Sequence, residues 1–227
     1  MGQCSGLTPE ARGAGARLIA AGRASEVFDL GDGTVLRRFK SGGHPEREAL
    51  VMRHARSYGY PVPEVLAIAD DALVLEKIEG PTMWQVAADQ PSTVEAQAVL
   101  LAQLHRDLHK IDAPDGLAAV AEGDCLLHLD LHPMNVILSP KGPVVIDWTN
   151  ARRGEPMFDV AVTWVIAATS TGLGKTGRSL IRRFLSHFER GELRRALRPA
   201  AEYRLIDENV TEDERTAIRG LVAAEDV

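Results

Sequence analysis

Cysteine is nearly missing from this chain of 227 residues: Cys4 and Cys125 are its only two. Two thiols make at most one bridge, so a disulfide framework and a cysteine zinc site are excluded, and a reducing, cytoplasmic setting is expected. Basic residues are not in excess either. Twenty-six Lys and Arg against 32 Asp and Glu leave a formal net charge of -6, which argues against a nucleic-acid binder with a broad basic face. Long hydrophobic runs are lacking as well. The longest, VAVTWVIAA at 160–168, is shorter than the ~20 residues that cross a bilayer and predicts a buried helix, so no membrane partner is expected. The N-terminal MGQCSGLTPEARG has no apolar signal core, and Gly6 stands where myristoylation wants Ser or Thr. Residues 1–16 are therefore expected to form a loose leader. No internal repeat or low-complexity tract is present.

What remains is an ordinary globular composition, 45% hydrophobic and 26% charged, long enough for one large domain or two modest lobes. From Arg17 to Phe39 the signals are β-like, with a Gly-Asp-Gly turn at 31–33 joining EVFDL (26–30) to TVLRRF (34–39). Pro45, acidic residues behind it and Gly59 then bracket a helix. YPVPEVLAIAD leads into a strand, and ALVLEKI (72–78) reads as another. The breaker EGP at 79–81 predicts a hinge between a lobe at 1–78 and a mainly helical lobe at 82–227. In the second lobe, AQAVLLAQLHRDLHKI (96–111) and SLIRRFLSHF (179–188) have apolar stripes at helical spacing, and VILS with PVVID (143–147) suggests a short hairpin.

HLDLHPMNVIL (128–138) concentrates the polar chemistry. On an extended strand, His128, Asp130 and His132 would share one face and could hold a zinc ion or a metal pair in a hydrolase. Pro133 ends such a strand at once, and no further His, Asp or Glu cluster lies nearby to complete the coordination. A solvated polar turn accounts for neither the spacing nor Asp147 in VVIDW. The pattern His128-x-Asp130-x-x-x-x-Asn135 does match the catalytic loop of kinases. Phosphoryl transfer needs mainly positioned charge: Asp130 would receive or orient the acceptor hydroxyl proton, while Asn135 and Asp147 would offer oxygens to Mg²⁺.

HLDLHPMN followed by VVIDW resembles the signature of the aminoglycoside phosphotransferase and choline kinase-like family of small-molecule kinases. The resemblance implies a two-lobed α+β protein-kinase-like fold, ATP and Mg²⁺ as donor and cofactor, and a small-molecule hydroxyl as acceptor. Leu129 departs from the family pattern, which has Gly there. AGRASEVF (21–28) is similar to the family's phosphate-covering loop, with Ser25 offering a hydroxyl. The family's phosphate-binding lysine falls on Arg37, with Lys40 as the alternative, and the helix glutamate that holds it falls on Glu48, which shares a stripe with Val51, Met52 and Ala55, rather than on Glu46. LVLEKIEGP (73–81) takes the place of the adenine-holding linker, so Glu76, Lys77 and Ile78 are expected to act through their backbone. His128 and Asp159 are expected to brace the catalytic loop. The acceptor could be an aminoglycoside or other antibiotic, an amino alcohol or a sugar. A nucleotide-binding module without turnover is the alternative that Arg37 and Leu129 motivate.

Other signals carry less. GLGKTG (172–177) lacks the leading Gly of a P-loop and reads as a helix-to-helix connector. His105 lies on a leucine stripe and is expected in the core rather than paired with His109 on a metal. The arginines from 178 to 198 read as a solvated helix face, and Glu202, Asp207 and Glu208 as surface, although they could receive a cationic acceptor.

Overall fold

The computed structural model describes residues 16–22, 25–40, 43–170, 174–208 and 210–225. The expected leader, apart from Ala16, lies outside the described residues, as do Arg23 and Ala24 of the loop at 21–28. The chain divides into two compact units, Met1–Glu79 and Gly80–Val227, together an α+β protein.

The first unit is a five-stranded antiparallel sheet with one helix. Its strands are β1 (Arg17–Ala21), β2 (Ser25–Asp29), β3 (Thr34–Phe39), β4 (Val65–Ala69) and β5 (Ala72–Glu76), in the order β1-β2-β3-β5-β4. The β2–β3 reversal uses Gly31 and Gly33 at φ +79° and +83°, a conformation glycine adopts without steric cost. Asp29 and Asp32 accept from the Gly31 and Thr34 amides at 3.0 and 3.1 Å. Helix α1 (Pro45–Ser57) starts on Pro45 and buries Glu48, Ala49, Val51, Met52 and Ala55, the stripe that helical spacing predicts. β5 stops at Glu76 rather than Ile78 because the Lys77 amide turns to the Gly33 carbonyl (3.0 Å).

The second unit is mainly helical. α2 (Met83–Asp89) begins on a reciprocal cap: Thr82 Oγ1 accepts from the Gln85 amide (3.1 Å) and Gln85 Oε1 from the Thr82 amide (2.7 Å). α3 (Val94–Leu108) follows, then β6 (Cys125–Leu127), β7 (Val136–Ser139), β8 (Gly142–Val145) and β9 (Arg152–Gly154). β7 and β8 form the expected hairpin, and β6 pairs antiparallel with β9, a pairing of two three-residue strands that no local signal announces. α4 (Pro156–Thr169), α5 (Gly174–Leu185), α6 (Arg190–Leu205) and α7 (Glu212–Glu225) complete it. The run at 160–168 is indeed a core helix: Phe158, Ala161, Val162 and Val165 of α4 pack with Leu127, Leu129, Leu197, Ala200 and Ile218.

GLGKTG corrects one expectation. Gly174–Gly177 form the first turn of α5 rather than a connector, because the strong apolar stripe of α5 extends the helix forward to its buried Gly177. Residues 172 and 173 lie outside the described residues.

Candidate active site

In the first unit the sheet and α1 bring Ser25, Arg37 and Glu48 together. Val27 pairs with Arg37 and Ser25 with Phe39 across β2 and β3. The Arg37 side chain thus lies beside the Ser25 hydroxyl, which accepts from Nε at 3.1 Å. Arg37 Nη1 meets Glu48 Oε1 at 2.5 Å, with both side chains buried. Two charges this deep are stable only when paired and hydrogen-bonded. Lys40 lies apart, its Nζ donating to the Gly22 carbonyl at 2.8 Å. Glu46 is exposed. In the linker, Lys77 Nζ pairs with Asp29 (3.1 Å) and Glu79 (2.6 Å). The Glu76 amide donates to the Glu64 carbonyl at 2.9 Å.

The loop at 128–135 in the second unit is held from all sides. Leu129 has φ +61°, and it and Asp147 (φ +68°) are the only non-glycine residues with positive φ among those described. The reversal at Leu129 turns its amide and that of His128 onto Asp159, whose Oδ1 and Oδ2 accept them at 2.7 and 3.2 Å. His109 Nε2 donates to the same Oδ2 at 2.9 Å. Burial pushes the Asp159 carboxyl upward, but the hydrogen bond from His109 opposes it, and the carboxyl is held below the ordinary range. Asp159 thus stays ionised in the core. The Leu129 side chain is fully buried in the helical core, which offsets a left-handed conformation costing an L residue about 1–2 kcal/mol.

Asp130 faces Asn135, whose Nδ2 donates to the Asp130 carbonyl (2.9 Å) and to Oδ2 (3.0 Å). Turning its NH₂ group inward leaves the Asn135 carbonyl oxygen to point elsewhere. The buried His128 ring accepts from the Asp130 amide at Nδ1 (3.2 Å), so Nε2 carries the proton and donates to the Ile146 carbonyl (3.1 Å). Burial lowers its pKa against the opposing pull of Asp159, Asp130 and Asp147, and the imidazole stays neutral. With both nitrogens occupied, His128 cannot join Asp130 and His132 on a metal. His132 Nε2 lies 3.4 Å from Asp130 Oδ1. The Ile146 amide closes onto the Asn135 carbonyl at 3.0 Å, so the β7–β8 hairpin delivers Asp147 to the level of Asn135. Thr149 Oγ1 donates to Asp147 Oδ1 at 3.2 Å.

His105 is a core histidine: Nε2 is 3.2 Å from the Leu131 carbonyl, and Nδ1 is 3.7 Å from Asp159 without a hydrogen bond. Burial pushes its pKa down to about 3. His105, His109 and Asp159 do lie close together. The Asp159 oxygens are nevertheless committed to two loop amides, so the cluster reads as bracing. Sequence reasoning missed His109 as the donor to Asp159, although its spacing from His105 marks one helix face. It also missed Tyr203 of α6, half-buried against Phe158 and within the field of Asp130 and Arg152. A lone tyrosine in a polar helix carries no signal of that kind. Asp207 is tied to Arg204 (3.0 Å), whereas Glu202 and Glu208 are exposed.

Solved structures with the same fold are kinase-like phosphotransferases. A thermostable mutant of aminoglycoside phosphotransferase APH(4)-Ia matches with a TM-score of 0.70 at 17% identity, over 93% of this chain and 94% of that one. Another structure of such a mutant, a ternary complex with AMP-PNP and hygromycin B, gives a TM-score of 0.66 at 18% identity over 92% of both chains. A choline/ethanolamine kinase family protein from Mesorhizobium loti gives 0.64 at 18% identity, over 97% and 90%. No curated protein sequence matches significantly. The profile of the phosphotransferase enzyme family matches residues 15–124 and 116–203. The chain belongs to that family and is a small-molecule kinase.

Proposed function

We propose that the protein transfers the γ-phosphoryl group of ATP to a hydroxyl of a small molecule, with Asp130 as the base that receives or orients the acceptor proton. The observation that carries this reading is the hydrogen-bonded pair of Asp130 and Asn135, held by the buried, ionised Asp159 through the amides of His128 and Leu129. A rigid carboxylate of this kind is what in-line transfer needs, because the protein contributes position and charge rather than covalent chemistry.

Asn135 and Asp147 present only oxygen donors, a hard set that suits Mg²⁺, and both would hold it. Held there, such an ion would supply positive charge to offset that developing on the transferred phosphoryl group. Arg37 rather than Lys40 serves the phosphates, since it alone pairs with Glu48. Ser25 acts by fixing the guanidinium plane. In the linker the Glu76 and Lys77 amides are already committed to carbonyls, so Ile78 supplies the donor to adenine. In this reading Met1–Glu79 is the nucleotide-binding unit, and Gly80–Val227 carries base, metal ligands and acceptor site. The ternary complex of the APH(4)-Ia mutant with AMP-PNP and hygromycin B supports the pairing of a nucleotide with a small-molecule acceptor.

Asp130→Asn keeps the loop hydrogen bonds and removes the base. ADP release with acceptor should fall about 10²- to 10⁴-fold, while calorimetric ATP affinity stays within about twofold. Unchanged turnover in that variant would end the assignment. Tight ATP binding by the wild type with no ADP release from aminoglycosides, macrolides, choline or sugars would favour the nucleotide-binding module.

A further inference from the structure

Beside the loop of the second unit lies a cavity of about 280 Å³, bounded by Trp84 of α2, His132, Pro133 and Met134 of the loop, and Ile166 and Ile181 of α4 and α5. His132 joins this cavity to the reacting group: it lines the wall, and its Nε2 is 3.4 Å from Asp130 Oδ1. Any molecule with a hydroxyl at Asp130 and its body on this side must rest on Trp84 and Met134.

The lining is the informative part. Among the described residues it holds no carboxylate, and Ala167 and Ser170 complete it with small side chains. A polyamine bound here would lose hydration at several ammonium groups and regain no opposite charge, which costs several kcal/mol for each ion so buried. An uncharged molecule with an apolar or aromatic body loses little and gains contact with an indole and a thioether, both adaptable apolar surfaces. The other flank of Asp130 does not restore cation binding. Arg152 lies in the field of Tyr203 there, and the nearby acid Asp207 is neutralised by Arg204. A larger cavity beyond the shared wall of Ala167 and Ile181 is rimmed by Arg178, Arg182 and Arg190 against the single carboxylate of Glu225, a net positive lining that again disfavours a polycation.

We infer that the acceptor is a neutral alcohol with an apolar or aromatic body, seated on Trp84 and Met134, and not a polycationic aminoglycoside. The inference rests on the phosphotransfer reading only for the identity of the bound molecule as acceptor; the ranking of ligands by the cavity stands apart from it. The pocket fixes specificity through apolar fit, where losing a large contact surface changes affinity by at least about tenfold.

The full-length protein with ATP is titrated calorimetrically with 4-phenyl-1-butanol and with kanamycin, as wild type, Trp84→Ala and Met134→Glu, with ADP release followed in parallel. The alcohol should bind the wild type more tightly than kanamycin. Trp84→Ala should weaken the alcohol about tenfold or more while leaving ATP affinity unchanged, which also shows that the variant folds. Met134→Glu should shift the preference towards kanamycin. Kanamycin binding more tightly to the wild type, or alcohol affinity indifferent to Trp84→Ala, overturns the inference. Failure of phosphotransfer is a separate result: the ligand ranking holds, but the wild type releases no ADP with either ligand.

Discussion

The left-handed backbone at Leu129 makes a quantitative prediction that can be isolated from ordinary packing. Leu129 is fully buried, so Leu129→Ala should cost about 2–5 kcal/mol from the lost side chain and the space it leaves. Truncating one step further to Gly removes about 0.8 kcal/mol more burial and adds about 0.4–1 kcal/mol of chain entropy to the unfolded state. At a normal backbone angle, glycine is therefore less stable than alanine by about 1–2 kcal/mol. At φ +61° glycine also relieves about 1–2 kcal/mol of left-handed strain, and the two variants should be nearly equal. Leu127 is the internal control: it is equally buried, belongs to the same core cluster, and lies in strand β6. The Gly-minus-Ala gap from urea unfolding midpoints should be larger at 127 than at 129 by about 1–2 kcal/mol. An identical gap at the two positions would refute the strained-loop account and the explanation of why glycine suits this place.

Two further perturbations follow from buried charge. Arg37→Met removes the buried cation that Glu48 meets at 2.5 Å and should destabilise the first unit by about 3–5 kcal/mol; adding Glu48→Leu should recover most of that, and strictly additive losses in urea titrations would contradict the pairing. His105, held neutral with a pKa of about 3, takes up its proton in the unfolded chain first. Its contribution is therefore intact above the unfolded value near 6.5 and is lost progressively as pH falls from about 6.5 towards 3. His105→Gln should show a shallower fall of unfolding midpoint with pH across that window, and parallel curves would rule the assignment out.

The order of the chemical elements along the chain could be read without coordinates because each rests on local rules. A Gly-Asp-Gly reversal, a helix opened by Pro45, the inward stripe that selects Glu48 over Glu46, and the spacing from Asp130 to Asn135 are all fixed by backbone geometry and periodicity. Leu129 was the residue that did not fit, and the structure gives the cause: a positive φ that glycine takes freely and leucine takes only with its side chain packed in the core. Element ends were less legible. β5 closes at Glu76 and α5 opens at Gly174, since ladder partners and a core stripe decide both, and neither is adjacent in sequence.

The sequence by itself determined the α+β layout and the set of side chains that bear charge, because residue type and period are local properties. Only the tertiary structure decided how those charges are held. Asp159 stays ionised because His109 and two amides, 50, 31 and 30 residues away, converge on it. Arg37 meets Glu48 while Lys40 turns to the Gly22 carbonyl, because β3 directs Arg37 towards α1. The cavity beside His132 exists because α2, α4 and α5 bring Trp84, Ile166 and Ile181 to the same loop. Burial and convergence are properties of packing, and no window of sequence contains them.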